Sequence, residues 1–163
     1  MIRIRPLEPR DLPALAQLYT HYATHSVTTY YQGEASEAYM RSLFTGRGHA
    51  CAVAVDETDG ALGYVHISPT IGLHRPCTMA VYVQYERTHQ GIGPQLVCHG
   101  ERLAREMGYQ QMRVSICSEN APSIAMFEKL RYVRTGIKRD DAFKFGRSLD
   151  TLYYAKNLME DAT

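Results

Sequence analysis

Met79-Ala-Val-Tyr-Val83, followed by Gln90-Gly-Ile-Gly-Pro94 and then by Gln95 through Gly108, is the stretch that decides the fold. The first run is extended in character. The second is a glycine turn. The third sets Leu96, Val97, Leu103, Ala104 and Met107 on one helical face before Gly108 stops it. The order is strand, turn, helix. The first turn of a helix carries backbone N–H groups without partners, and the macrodipole adds partial positive charge there, so such a turn suits a phosphate. Gly91 and Gly93 permit positive φ and close approach of a ligand to the backbone. The same letters also serve ordinary turn chemistry, and the bare motif does not choose between the two.

Two well-known phosphate loops are excluded by the letters. A Walker loop needs Gly-Lys followed by Ser or Thr, whereas Gly93 is followed by Pro94 and Gln95. A dinucleotide fingerprint needs a third glycine three residues after Gly93, where Leu96 stands. Pro94 suits the start of a helix, because its missing N–H would have lacked a helical partner anyway.

The chain has 163 residues, with 18 basic and 17 acidic side chains and a formal charge of +1. One domain over residues 1–163 is expected. The charges are interspersed, which argues against a nucleic-acid surface. No apolar run has the length of a signal core or a membrane span, so no membrane partner and a cytoplasmic location are expected. Cys51, Cys77, Cys98 and Cys117 form no Cys-x-x-Cys pair and read as buried, reduced thiols. His21 and His25 have helical i, i+4 spacing without a metalloprotease signature, and no metal site is expected.

Outward from the central stretch, Ile2 to Pro6 alternates as a half-buried strand does, and Asp11-Leu-Pro13 offers a helix cap with a first-turn proline. Leu12, Leu15, Leu18, Tyr19 and Tyr22 share one helical face. A second helix is expected over Ser36–Phe44. Cys51–Val55 and Leu62–Ile67 are apolar runs joined by hairpin punctuation, and Ser68–Pro76 reads as an irregular loop. Gln111–Cys117 is a strand, Asn120 caps a short helix to Leu130, and strands near Tyr132–Ile137 and Thr151–Leu158 close the chain. The order β α α β β β α β α β β predicts a mixed α/β sheet with helices on both faces.

Taken together, Ile4-Arg-Pro6 with Asp11-Leu-Pro13, Val81-Tyr-Val83, Gly91-Ile-Gly93, Asn120 through Leu130 and Phe143-Lys-Phe-Gly-Arg-Ser-Leu-Asp150 resemble the GNAT superfamily of N-acyltransferases, its phosphinothricin acetyltransferase-like branch above all. The resemblance runs from Ile2 to Leu158. It implies a mostly antiparallel sheet splayed at its central parallel strands, with acetyl-CoA as cosubstrate in the splay. The pyrophosphate would rest on His89, Gln90, Gly91, Ile92, Gly93 and Pro94, and the pantetheine arm would run along Val81, Tyr82 and Val83. Asn120 and Ser123 would contact the cofactor further along. The amide near Val83 would stabilise the oxyanion as an amine attacks the thioester directly. Tyr30, His74, Arg75 and Lys144 would face the acceptor. Family habit suggests a homodimer.

Several positions depart from the family pattern. Thr78 stands where this branch commonly has a glutamate base, and is either strand filler or the holder of a catalytic water. Phe127 stands where many members have a tyrosine acid, and at helical spacing it reads as core packing. Thr88 replaces a basic or amide residue, Pro94 lacks a donor, and Arg131 replaces a glycine. His66, His74 and Tyr30 are candidate substitutes. The resemblance implies transfer of acetyl to the primary amine of a small molecule such as an amino acid or an amino-acid-like toxin. The alternatives are an acyl-CoA-binding sensor with little turnover and a peptide or protein N-terminal acetyltransferase.

Overall fold

The computed structural model describes residues 1–159, so the last four positions of the expected domain lie outside it. The elements follow the expected order: β1 (Arg3–Pro6), α1 (Leu12–His25), α2 (Glu37–Phe44), β2 (Ala50–Val55), β3 (Ala61–Pro69), β4 (Pro76–Val83), α3 (Ile92–Glu106), β5 (Gln111–Cys117), α4 (Ala121–Lys129), β6 (Val133–Lys144) and β7 (Arg147–Asn157). The strands form one seven-stranded sheet in the order β1-β2-β3-β4-β5-β7-β6. Only β4 and β5 run parallel; every other neighbouring pair is antiparallel.

The period-2 geometry of a strand explains why β2 reads as an unbroken apolar run. Val53 and Val55 pack beneath α1 and α2 with Leu15, Tyr19, Met40 and Tyr64, while Ala52 and Ala54 face the other layer with Leu96, Val97 and Ala104 of α3. Both faces of the sheet are therefore covered here. Alanines on the α3 side leave room for close helix approach, and so does Gly100, where a Cβ would come within 2.8 Å of Val65 Cγ2.

Some boundaries differ from those expected, each for a physical reason. Asp11 does not cap α1 with its side chain. Its carboxylate instead accepts from Glu8 N at 2.8 Å and from both terminal nitrogens of Arg5, closing a short 3-10 turn over Pro9–Asp11. Helix α3 starts at Ile92, which leaves Pro94 in the first turn, where its missing donor still costs no helical bond. The loop expected over Ser68–Pro76 shortens, because Ser68 pairs with Thr78 and Pro69 with Cys77. Strands β6 and β7 are longer than expected and meet at a tight turn with Phe145 at φ 55° and Gly146 at φ 73°. Irregular register between Arg134 and Gly136 and between Lys138 and Ala142 breaks the alternation that would have marked β6.

Candidate active site

The parallel pair defines the site. Pro76, Cys77 and Thr78 pair with Gln111, Met112 and Arg113, and beyond Thr78 the two strands part. The β3 pairing shows which backbone groups this frees. Gln84 N donates to Leu62 O at 2.8 Å, and the next partners are Gly63 with Val83, Tyr64 with Tyr82 and Val65 with Val81. Bonded and non-bonded pairs alternate along an antiparallel ladder, so Tyr82 turns its amide and carbonyl to β3 while Val81 and Val83 turn theirs into the splay.

A cleft of about 620 Å³ occupies that splay. One wall is β4 with Val81, Tyr82 and Val83; the opposite wall is the start of α4 with Asn120, Pro122, Ser123 and Met126. Its far end is closed by Arg87, Thr88, His89, Gly91, Ile92, Gly93 and Pro94. Gly91 sits at φ 80° immediately before α3, and His89 adopts φ 63° although it is not glycine. This left-handed turn directs the chain into the helix so that its unpaired first-turn amides border the cleft. The first bond back into α3 is Gln95 N to Gly91 O, at 3.3 Å.

Two tertiary links shape the end near Val83. The Tyr22 hydroxyl, from α1, donates to the Val83 carbonyl, and burial pushes that hydroxyl's pKa above the usual phenol value. With the carbonyl taken, the Val83 N–H is the backbone group left for a ligand. Asn120 accepts from Ser123 N at 3.4 Å, which caps α4, and its amide nitrogen reaches Thr28 Oγ1 at 3.5 Å. Thr28 and Tyr22 thus join the lining from the α1 side.

Among the expected cofactor residues, Val81, Tyr82, Val83, His89, Gly91, Ile92, Gly93, Pro94, Asn120 and Ser123 converge on this cleft. Gln90 does not line it; its side chain accepts from Arg87 Nε at 3.0 Å. The expected catalytic Thr78 also lies outside the lining, and its hydroxyl shares a 2.6 Å hydrogen bond with Ser68 Oγ. Phe127 packs edge-on against Tyr132 and is 5% exposed, as the core reading anticipated.

The expected acceptor contacts are dispersed. His74 and Arg75 lie beside Pro76, at the opposite end of β4 from Val83. Tyr30 donates to Asp150 O and shares a 2.6 Å bond with Thr151 Oγ1, and its pKa is pushed up to about 12, mainly by burial. Lys144 is 3% exposed and spends its donors on the carbonyls of Ser26, Thr29 and Tyr31, so the substrate contact expected of it is replaced by a structural one. His66 lies under Phe44 with its Nε2 2.9 Å from His49 Nδ1, and its pKa is lowered to about 4, by burial first and by His49 second. Tyr22, Thr28, Tyr85, Arg87 and Met126 are lining residues to which sequence reasoning gave no ligand role. Only Arg87, a cation four residues before Gly91, carried a local signal. Among the described residues no cluster of three or more His, Cys, Asp or Glu side chains could hold a metal.

A sheet splayed between two parallel strands, with open strand amides along one wall and a helix N-terminus at its end, is the arrangement that the GNAT resemblance implied. The family model of the acetyltransferase (GNAT) domain matches residues 2–133, and the chain belongs to that family of acetyltransferases. It is similar to the L-methionine sulfoximine/L-methionine sulfone acetyltransferase of Pseudomonas paraeruginosa, at 28% identity over 95% of this chain and 94% of the relative. It is also similar to the phosphinothricin N-acetyltransferase of Alcaligenes faecalis, at 25% identity over 95% and 82% of the two chains. Among solved structures, a GNAT superfamily phosphinothricin acetyltransferase from Sinorhizobium meliloti in complex with AcCoA superimposes with a TM-score of 0.88. It shares 27% identity and covers 96% of this chain and 88% of its own.

Proposed function

We propose that the protein transfers the acetyl group of acetyl-CoA to the primary amine of a small amino-acid-like acceptor, within a ternary complex. The observation that carries this reading is the open N–H and carbonyl of Val81 and the open N–H of Val83, leading along the cleft to the amides at Gly91–Gly93. An extended pantetheine arm pairs with those strand groups as an added strand would, and a pyrophosphate satisfies the helix-terminal donors. Arg87 and His89 supply side-chain donors at the same end.

At the Val83 end the free N–H receives the thioester carbonyl oxygen and stabilises the charge that develops as the amine adds to the carbonyl carbon. The C–N bond forms, the tetrahedral adduct collapses with cleavage of C–S, and the amide and CoA thiol depart. Holding both reactants in the splay supplies much of the rate, because aligned reactants behave as if at very high concentration. The relatives named for sulfoximine, sulfone and phosphinothricin acetylation support an amino acid or such an analogue as acceptor.

A second reading, an acyl-CoA-binding sensor with little turnover, is favoured by Thr78, whose hydroxyl is held by Ser68, and by Phe127, which faces the core. Thiol release from acetyl-CoA across amino acids, their sulfone and phosphinic analogues, polyamines and short peptides separates the two. Turnover with amino-acid-like acceptors supports the enzyme. Acetyl-CoA binding without turnover on any acceptor supports the sensor, and absence of binding defeats both readings.

A further inference from the structure

The collapse of the adduct leaves a thiolate that needs a proton, and the helix α4 position where many family members carry a tyrosine is Phe127, packed into the core against Tyr132. The acid must come from elsewhere. The cleft holds several other O–H and N–H groups. The Tyr82 ring belongs to an aromatic cluster with Tyr19 and Tyr64, on the α1 face of the sheet. Tyr85 is half exposed at the mouth and stacks face to face on His21, with centroids 3.9 Å apart. His89 stands at the glycine turn, at the phosphate end. Ser123, Thr28 and Thr88 are alcohols, far weaker acids than a phenol.

Tyr22 differs from all of these. It enters from α1, lines the cleft, and holds its hydroxyl against the peptide unit of Val83, whose carbonyl and N–H both face the splay. We propose that the Tyr22 hydroxyl is the proton donor to the leaving CoA thiolate, an acid supplied by α1 in place of the residue missing from α4. This rests on the acetyltransferase reading above. As the C–S bond breaks, its electron pair goes to sulfur, the Tyr22 O–H turns from the Val83 carbonyl and gives its proton to form the thiol, and the phenolate recovers through solvent the proton that the still positively charged nitrogen of the attacking amine sheds as the neutral amide forms. Atoms and charge balance without another reagent. A phenol is protonated at neutral pH, so the donor is in place when the thiolate appears.

The test is Tyr22→Phe, which keeps the ring and removes only the donor. Acetyl-CoA affinity by calorimetry, melting temperature and kcat are read for wild type and variant, first with acetyl-CoA and then with the corresponding selenoester of CoA. A selenolate is a much weaker base than a thiolate and departs without a proton. The expected result is a kcat lower by about a hundredfold or more with the thioester, affinity within a few-fold, and a deficit that shrinks with the selenoester. An unchanged kcat, an equal deficit with both esters, or a kcat loss matched by loss of affinity would overturn the proposal; the last outcome would leave Tyr22 as a positioning residue for Val83. A wild type that turns over while the variant equals it defeats this inference alone, whereas a wild type silent on every acceptor defeats it together with the function on which it rests.

Discussion

Lys144 donates to the carbonyl of Ser26 at 2.6 Å, across 118 residues of sequence, and to Thr29 and Tyr31 at 2.7 and 3.2 Å. One buried ammonium thereby fastens the segment between α1 and α2 to the β6–β7 hairpin. The same segment carries Thr28 into the cleft and Tyr30 onto Thr151.

Lys144→Met should leave three carbonyls without that donor. Loss of charge-assisted bonds of this kind costs roughly 2–3 kcal/mol, to be read as a lower urea midpoint. Hydrogen exchange at the amides of Thr28 to Tyr31 should speed up more than exchange in β2. Uniform loss of protection through both regions would contradict a local anchor.

His66 should make stability depend on acidity. Its folded pKa of about 4 lies below the ordinary 6.5, so the unfolded chain binds more protons between those values. Stability from this group is complete above about pH 6.5 and falls as pH drops toward 4, by at most ~3.5 kcal/mol, since each unit is worth about 1.4. His66→Leu should flatten that part of the stability curve relative to wild type. An unchanged slope from pH 6.5 to 4 would show that His66 is not depressed.

At the glycine turn, the two glycines should behave differently. A Cβ at Gly93 meets Met126 Sδ at 3.1 Å across the cleft, while φ there is ordinary. Gly93→Ala should keep or slightly raise the melting temperature of the free protein, because alanine favours helix, and should reduce the stabilisation conferred by acetyl-CoA. Gly91 has φ 80°, so Gly91→Val should weaken folding as well as binding. Parallel loss of folding and binding in Gly93→Ala would argue against close ligand approach.

Restoring a tyrosine at Phe127 should not restore an acid. The side chain is 5% exposed and faces Tyr132, so a new hydroxyl enters the core. Phe127→Tyr should lower stability by about 1–3 kcal/mol without raising kcat. A rise in kcat would show that the ring can turn into the cleft.

The expected elements were legible wherever a local rule held alone. Ser36 accepts from Tyr39 N at 3.0 Å as a helix cap should, and Asn120 caps α4. Asp11 misled because a carboxylate also bonds an arginine, and Arg5 of the neighbouring strand claims it at 2.8 Å. The Phe145-Gly146 turn was hidden because phenylalanine rarely takes positive φ, and Glu101 was hidden because its partners, the Tyr132 hydroxyl at 2.7 Å and Lys156 at 3.0 Å, come from distant segments.

The sequence by itself determined the order of elements and the glycine turn ahead of α3, because strand period, helix caps and glycine conformation act over a few residues; the residues expected to line the cleft came from the resemblance to the GNAT family. Only the tertiary structure decided that Lys144 serves three carbonyls, that Thr78 turns its hydroxyl to Ser68, and that Tyr22 stands against Val83. Each of those depends on which distant groups the sheet brings within hydrogen-bond distance, and no spacing along the chain encodes that.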